Sequence, residues 1–584
     1  NINIDTVTLN GVALGISNDG TLSVTNSEVN ATSGDAINNA KVANIKNVTI
    51  NASNNGVNTQ NNAKTTISGG TIKAGTDFIG INNNGIVEVK ENTIIDAGKT
   101  FVNEETGTLK IYEAIVNYII PKSYPIIQNK GNLEIHGGEY VSECTNIILN
   151  ENGNVVITGG KLTTTDSANT IINKNDSSVK ISGGIIQADM FEAIINEGTL
   201  EISKDAFVNS DNSETIMNRN SLAISGGTIC GNNTSSAIKN ENSLIMTGGT
   251  ILLKDYGKCG INSDRGSIID ISGAKIKTES AQSSVIAICL NNTKTSFIDN
   301  TTIDLITAGN KAVGIEVLQS ELIATDLIID VDSANEGTAI LNRSGDVTLG
   351  VDNSVIVTDM PRLEGKTSGY VSKGGKFNFY DGMLIGSENK ALSGDVTNKP
   401  ESSFVKTEMS GDKEVVTLGI DLDAPKNVTL VADITGWSNT EVTLTGSAED
   451  DNSKIIAYAF STSGTKPLDS EWEQLDKPES QITKTKKYAE NTSIYFHVKD
   501  FAGNTAVSNK VQVKYDNAAP TITKIQKNPL GWTNTDVTLT LTATDDLSGV
   551  AGYEFTTTYH EPTKEAGNYT YVSPTTELTA TTIV

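Results

Sequence analysis

The chain has 584 residues, 44 Lys plus Arg against 70 Asp plus Glu, and a formal net charge of −26. That length is too great for one compact core and predicts several domains or one elongated repeat array. The acidic balance argues against nucleic acid or anionic membrane as the main partner. It fits an extended extracellular surface that can attract divalent cations. Four cysteines, Cys144, Cys230, Cys259 and Cys289, are widely separated, with neither a CxxC nor a zinc-like spacing. They fall at four phases of the repeat described next and read as reduced, packed thiols. No apolar run approaches the roughly 18 residues needed to span a bilayer. There is no basic-plus-apolar leader, so targeting signals are expected outside this stretch of chain.

The hexamer Ile67-Ser68-Gly69-Gly70-Thr71-Ile72 recurs almost unchanged at 181–186 and 224–229, with close copies at 157–162 and 246–251. Looser copies keep the apolar positions. Taking the first apolar residue as register gives 4, 24, 45, 67, 89, 111, 135, 157, 181, 202, 224, 246, 271, 298, 323, 351 and 379. A second motif, an apolar pair followed by Asn, sits at a fixed phase and ends at Asn150, Asn173, Asn196 and Asn218.

Short Ile/Val/Thr runs separated by Gly, Asn and Asp turns read as strands, and no segment carries a long helical stripe. A repeat of about 22 residues holding two or three strands cannot bury its own apolar face, whereas stacked coils can. The expected fold is therefore all-β, beginning with a right-handed parallel β-helix of about 17 rungs over 1–394. At roughly 4.8 Å per rung it would form a rod of about 80 Å. Asn150, Asn173, Asn196 and Asn218 belong at bends, where each amide can bond its own backbone and the amide one rung away. The glycine pairs 69–70, 183–184 and 226–227 (Gly69, Gly70, Gly183, Gly184, Gly226, Gly227) supply positive φ or tight passage at another corner.

After Ile271 the rungs lengthen and lose their Gly-Gly pairs; longer turns are where ligands usually bind. The segment 395–420 breaks the period and reads as a hairpin capping the last rung. Composition then changes: all three tryptophans lie beyond residue 421. The stretch 436–445 matches 531–540 at a spacing of 95, and alternating strands in a 90-odd-residue module indicate a small β-sandwich. Two modules follow, 421–515 and 516–584. The second stops near the equivalent of residue 489 and is read as incomplete.

The glycine-punctuated rungs resemble pectin-lyase-like right-handed β-helices of Gram-positive surface proteins. The modules look like bacterial Ig-like repeats, particularly in Val498-Lys499-Asp500-Phe501-Ala502-Gly503-Asn504 and Asp516-Asn517-Ala518-Ala519-Pro520. The resemblance implies a stalk of Ig-like modules holding a distal domain away from the cell wall. It does not imply one activity, since this fold hosts lyases, hydrolases, phage spikes and adhesins.

A lyase of this fold would need acidic calcium ligands on stacked strands with Arg or Lys nearby; Arg265, beside Asp264, is the candidate. A hydrolase would need paired or tripled Asp on neighbouring rungs. Asp326 and Asp352, at corresponding phases of successive rungs, are the candidates, and a plain acidic turn is the competing reading of each. No P-loop, GxSxG or HExxH motif occurs. Calcium is the expected cofactor. Its candidate ligands are Asp421 and Asp423 at the first junction, Asp450 and Asp451 with their equivalents Asp545 and Asp546, and Asp516 at the second junction.

The leading expectation is a monomeric, non-enzymatic adhesin or structural rod at the bacterial cell surface, attached through a region outside this chain. Its partner would be a host or bacterial glycan or protein, with no nucleic acid and no membrane insertion. The alternatives are a carbohydrate-active enzyme, a polysaccharide lyase or glycoside hydrolase, using rungs 298–384, and a trimeric phage-type fibre.

Overall fold

The computed structural model describes residues 1–118, 124–279, 281–352, 360–559 and 569–584. It is all-β; among the described residues the one helical element is a single 3-10 turn, Asp469–Glu471. The chain divides into two compact units, 1–400 with 405–418, and 401–404 with 419–584.

The first unit is a parallel β-solenoid of the right-handed type with about 17 turns. Each turn carries three strands, as in Asn132–Ile135 on a first face, Glu139–Ser142 on a second and Ile148–Asn150 on a third. Every strand pairs in parallel with its counterpart one turn on. Ile135 stands beside Ile157, Tyr140 beside Leu162, and Ile148 beside Ile171. Side chains alternate in and out along a strand, so each face contributes every second residue to one continuous core. That core runs from Ile16 to Leu418. Each fully buried Ile or Leu is worth about 1.5–3 kcal/mol of transfer free energy.

The apolar-pair-plus-Asn motif follows from this alternation. In Ile171–Asn173 the first Ile points inward, Ile172 outward and Asn173 inward again. The inward asparagines are fully buried and hydrogen-bonded rung to rung. Nδ2 donates to the next Oδ1 from Asn150 to Asn173 (2.9 Å), Asn173 to Asn196 (2.8 Å) and Asn196 to Asn218 (2.8 Å). After an earlier pair, Asn18 to Asn39 (2.7 Å), and an interruption at Thr59, the unbroken ladder runs from Asn83 to Asn240, whose amide donates to Ser263 Oγ (3.0 Å). From Asn103 onward each amide also reaches a backbone carbonyl of the next rung, as Asn173 does to Thr199 O (3.0 Å).

The two glycines of a pair do different work. Gly184 has φ 85°, a left-handed conformation that an L side chain resists. Gly183 is not left-handed, but a Cβ there would sit 2.5 Å from Thr158 O of the rung below. Gly226 and Gly227 repeat this division, whereas Gly69 and Gly70 are both left-handed.

Two of the seventeen register positions shift. The residue stacked on Ile298 is Ala324 rather than Ile323, and the next is Leu349 rather than Val351. Longer turns in this region let the apolar pattern slide while backbone pairing holds the strands in line. At the end of the solenoid, residues 413–416 run antiparallel to 384–387, and Val416 and Leu418 are buried in the core.

In the second unit, residues 426–513 form two antiparallel sheets. One holds Lys426–Ala432, Val442–Glu449 and Gln481–Tyr488; the other is built on Ile455–Ser461 and Thr492–Asp500. Val442, Leu444, Ile455, Phe496 and Val498 form their shared core. Strands Thr521–Asn528, Thr538–Thr544 and Glu577–Ile583 repeat the first sheet, and Val550–Tyr553 pairs with Thr570–Thr575.

Candidate functional site

On the third face the outward residues of successive rungs form columns. Leu149, Ile172, Ile195 and Met217 make a half-buried apolar stripe. The same column continues through Lys239, Asn262, Cys289, Glu316 and Leu341, where the turns have lengthened. Here the face hollows into a groove of about 430 Å³. Its floor is Cys259, Ile286, Val313 and Leu341, and its rim carries Lys258, Lys311, Glu316 and Arg343. Arg343 is ion-paired to Glu316 across one rung. An apolar floor with a charged rim suits a ligand with both apolar faces and polar edges.

Cys259 and Cys289 stand on adjacent strands of this groove but at different phases, Cys259 beside Ile286 and Cys289 beside Asn262, so they do not stack on one another. The cysteines Cys144, Cys230, Cys259 and Cys289 are free. Burial pushes the Cys230 and Cys289 thiols up to about 11, and Cys259 higher still.

The residues singled out for catalysis are not brought together. Arg265 lies on a turn with φ 59°, exposed, and pairs with Glu241 (3.2 Å) and more loosely with Asp264 (3.9 Å). Asp326 gives its backbone N–H to Asp299 Oδ1 (3.1 Å), a turn contact. Asp352 is exposed, and it stands three residues past the true register position Leu349, whereas Asp326 stands two past Ala324. The two therefore differ in phase.

A different set of carboxylates does stack. On the second face Asp304, Asp330 and Glu364 are register partners on three successive strands, with Lys277 one rung below Asp304. Adjacent strands place such residues about 4.8 Å apart at the backbone. Glu364 is buried and ion-paired to both Arg362 and Lys413. Burial acts to raise Glu364, but the Lys413 and Arg362 contacts outweigh it and hold the carboxyl below its ordinary value. Asp330 is raised, first by partial burial and then by Glu364 and Asp304. Neighbouring carboxyls pushed in opposite directions are the arrangement that acid–base chemistry uses. Sequence spacing hid them, because they are 26 and 34 residues apart and the second interval contains an insertion.

The acidic residues of the second unit separate by burial. Asp421 and Asp450 are buried and close together, whereas Asp423 and Asp451 are exposed, Asp451 pairing with Lys426 (2.9 Å). Asp516 and Asp545 are buried and Asp546 is exposed. The residue missed in the sequence is Asp500, which joins Asp421 and Asp450. It lies in the stretch 498–504 that carries the Ig-like resemblance, at the end of a strand whose alternation turns it inward.

Comparison of the chain with protein-family models, with curated proteins and with solved structures found no match. No helix among the described residues is long and apolar enough to cross a membrane.

Proposed function

We propose that this chain is a binding rod of the bacterial cell surface. The solenoid offers its third-face groove to a glycan or protein of the host or of a neighbouring bacterium, and the C-terminal modules are Ig-like stalk units. The observation that carries this reading is the groove itself. It is an apolar floor of Ile286, Val313 and Leu341 under a rim of Lys311, Glu316 and Arg343, on the same face as the apolar stripe of the earlier rungs, with Lys239 and Asn262 between them. Rung-to-rung ion pairs recur along the solenoid surface, as in Lys64–Glu88, Lys110–Glu134 and Lys174–Glu197, and Arg343–Glu316 on the groove rim is one of them.

A glycan array probed with the whole chain tests the reading. Binding that is lost in Lys311→Glu and Arg343→Glu while the melting temperature is retained supports it. Binding that survives both changes refutes it. A carbohydrate-active enzyme is the second reading, favoured by the Asp304–Asp330–Glu364 column. Turnover of an acidic or neutral polysaccharide that disappears in Asp330→Asn would replace the adhesin reading, and binding without turnover would remove the enzyme. A monomeric mass in solution is expected; a trimer would point to a fibre instead.

A further inference from the structure

Three connections meet at one end of the first C-terminal module: the entering chain at Asp421, the turn 450–454 and the turn 500–504. The side chains of Asp421, Asp450 and Asp500 are buried there, and one oxygen from each lies within 4.8 Å of the others. Backbone amides occupy part of each carboxylate. Asp421 accepts from Asp423 N and Ser453 N (both 3.0 Å), and Asp450 accepts from Asn452 N (3.0 Å) and Lys454 N (2.9 Å). Asp500 accepts from Gly503 N (2.6 Å) and Asn504 N (2.8 Å). These bonds orient the carboxylates but leave three like charges facing one another out of water. Among the described residues no cationic side chain is ion-paired to them; Lys426 is turned to exposed Asp451. Buried charge of one sign without a counter-charge is unfavourable.

Ser453 points to a ligand independently. The residue is 3 % exposed, and its hydroxyl lies beside the Asp421 carboxylate, whose charged form it favours, yet makes no well-aligned hydrogen bond. A buried hydroxyl left unpaired in a well-bonded turn is costly unless something outside the protein uses its oxygen. The arrangement also recurs 95 residues on. Asp516 accepts from Ala518 N and Ser548 N (both 3.0 Å), and Asp545 from Leu547 N (3.2 Å) and Gly549 N (2.8 Å).

We propose that Asp421, Asp450 and Asp500, together with the Ser453 hydroxyl, bind a calcium ion that ties the three connections of the module into one unit. The ligands are all hard oxygens held by the protein, on loops able to accept the long and irregular bonds of calcium; magnesium instead keeps much of its water and demands a tighter octahedron. A cleft of about 480 Å³ lined by Asp423, Glu449, Asp451 and Lys426 opens beside Asp450 and is acidic on balance. The proposal is independent of the groove reading, and its failure would leave that reading untouched.

The test is calorimetric titration of the chelator-treated whole chain with calcium, together with hydrogen exchange with and without the ion. Saturable binding is expected, with exchange slowed at 421–423, 450–454 and 500–504. Asp500→Asn should weaken binding at this site at least tenfold and remove that protection, and Ser453→Ala should weaken it several-fold. Exposed Asp476→Asn should change neither. Asp545→Asn removes any contribution from the second module, so the remaining isotherm reports on the first alone. Should Asp500→Asn fail to fold, Ser453→Ala carries the test, because it keeps all three carboxylates. No saturable calcium binding at millimolar concentration overturns the proposal. So does binding unchanged in both folded Asp500→Asn and Ser453→Ala.

Discussion

Replacing Asn173 by Ala cuts the buried amide ladder at its centre. The change removes three short hydrogen bonds, to Asn196 Oδ1 (2.8 Å), to Thr199 O (3.0 Å) and from Asn150 Nδ2 (2.9 Å), and a long one to Ser177 O (3.4 Å). Asn150 Nδ2 keeps Gly153 O (2.9 Å) and Ser178 O (3.1 Å), so its loss is partial. Asn196 Oδ1 instead loses the donor of the ladder and stays buried. At about 1 kcal/mol net per bond, plus about 1–2 kcal/mol for the orphaned acceptor, the cost is about 3–5 kcal/mol. A matched control exists on the outer surface. Asn154 is exposed and takes part in a similar rung-to-rung chain, with Asn132 (3.2 Å) and Ser178 (2.7 Å). Water replaces those bonds, so Asn154→Ala should cost no more than about 0.5 kcal/mol. A solenoid is stabilised by nearest-neighbour terms and need not unfold in one step, so a global denaturation curve is the wrong assay. Hydrogen exchange of peptides covering 148–199 reads the local opening constant directly. A loss of about 3 kcal/mol is roughly a 150-fold faster exchange there. Equal effects of Asn173→Ala and Asn154→Ala would refute the claim that the buried ladder, rather than the apolar stack alone, holds the rungs.

The glycine pairs separate strain from collision. Gly184→Ala meets both a φ of 85° and a carbonyl oxygen 2.7 Å from the new Cβ, whereas Gly266→Ala meets a φ of 75° in open space. Thermal melts should show Gly266→Ala losing only the left-handed penalty of about 1–2 kcal/mol and Gly184→Ala losing clearly more. The carboxylate column gives opposite pH slopes. The depressed Glu364 contributes stability above the ordinary carboxylate range and loses it as pH falls through its lowered value. The raised Asp330 is destabilising when ionised, so stability is gained as pH falls through its raised value. Melts across the acid range should show Asp330→Asn flattening the upper slope and Glu364→Gln the lower one. In maleimide labelling near neutral pH, Cys230 and Cys289, pushed up to about 11, should react far more slowly in the native chain than in denaturant. Fast native labelling of Cys289 would refute the slowing expected from its raised thiol.

The repeat was legible because its information is local in rung coordinates. Ile67, Val89, Ile111 and their kin are spaced by nearly constant turns, and the buried Asn can be recognised wherever an apolar pair precedes it. Fifteen of the seventeen register positions coincide with backbone pairing, and the two that slip, at Ala324 and Leu349, lie where turn length varies most. Counting residues through that region puts Asp326 and Asp352 in phase, and the count carries the slip with it. The acidic candidates at the module junction divided by a criterion that composition cannot supply, since Asp421 and Asp423 are near neighbours with opposite burial.

By itself, then, the sequence determines that the chain coils into a solenoid, which residues face inward and where each coil turns. Those properties depend on the periodicity of side chains against a backbone of fixed pitch. Only the tertiary structure decides which outward residues meet. Asp304, Asp330 and Glu364 are set in one column by backbone pairing across turns of unequal length. Asp500 comes to Asp421 and Asp450 because two antiparallel sheets bring three distant loops to one end. Outward positions carry no burial requirement, so nothing in the local pattern marks them, and chemistry placed there becomes visible only when the rungs and sheets are stacked.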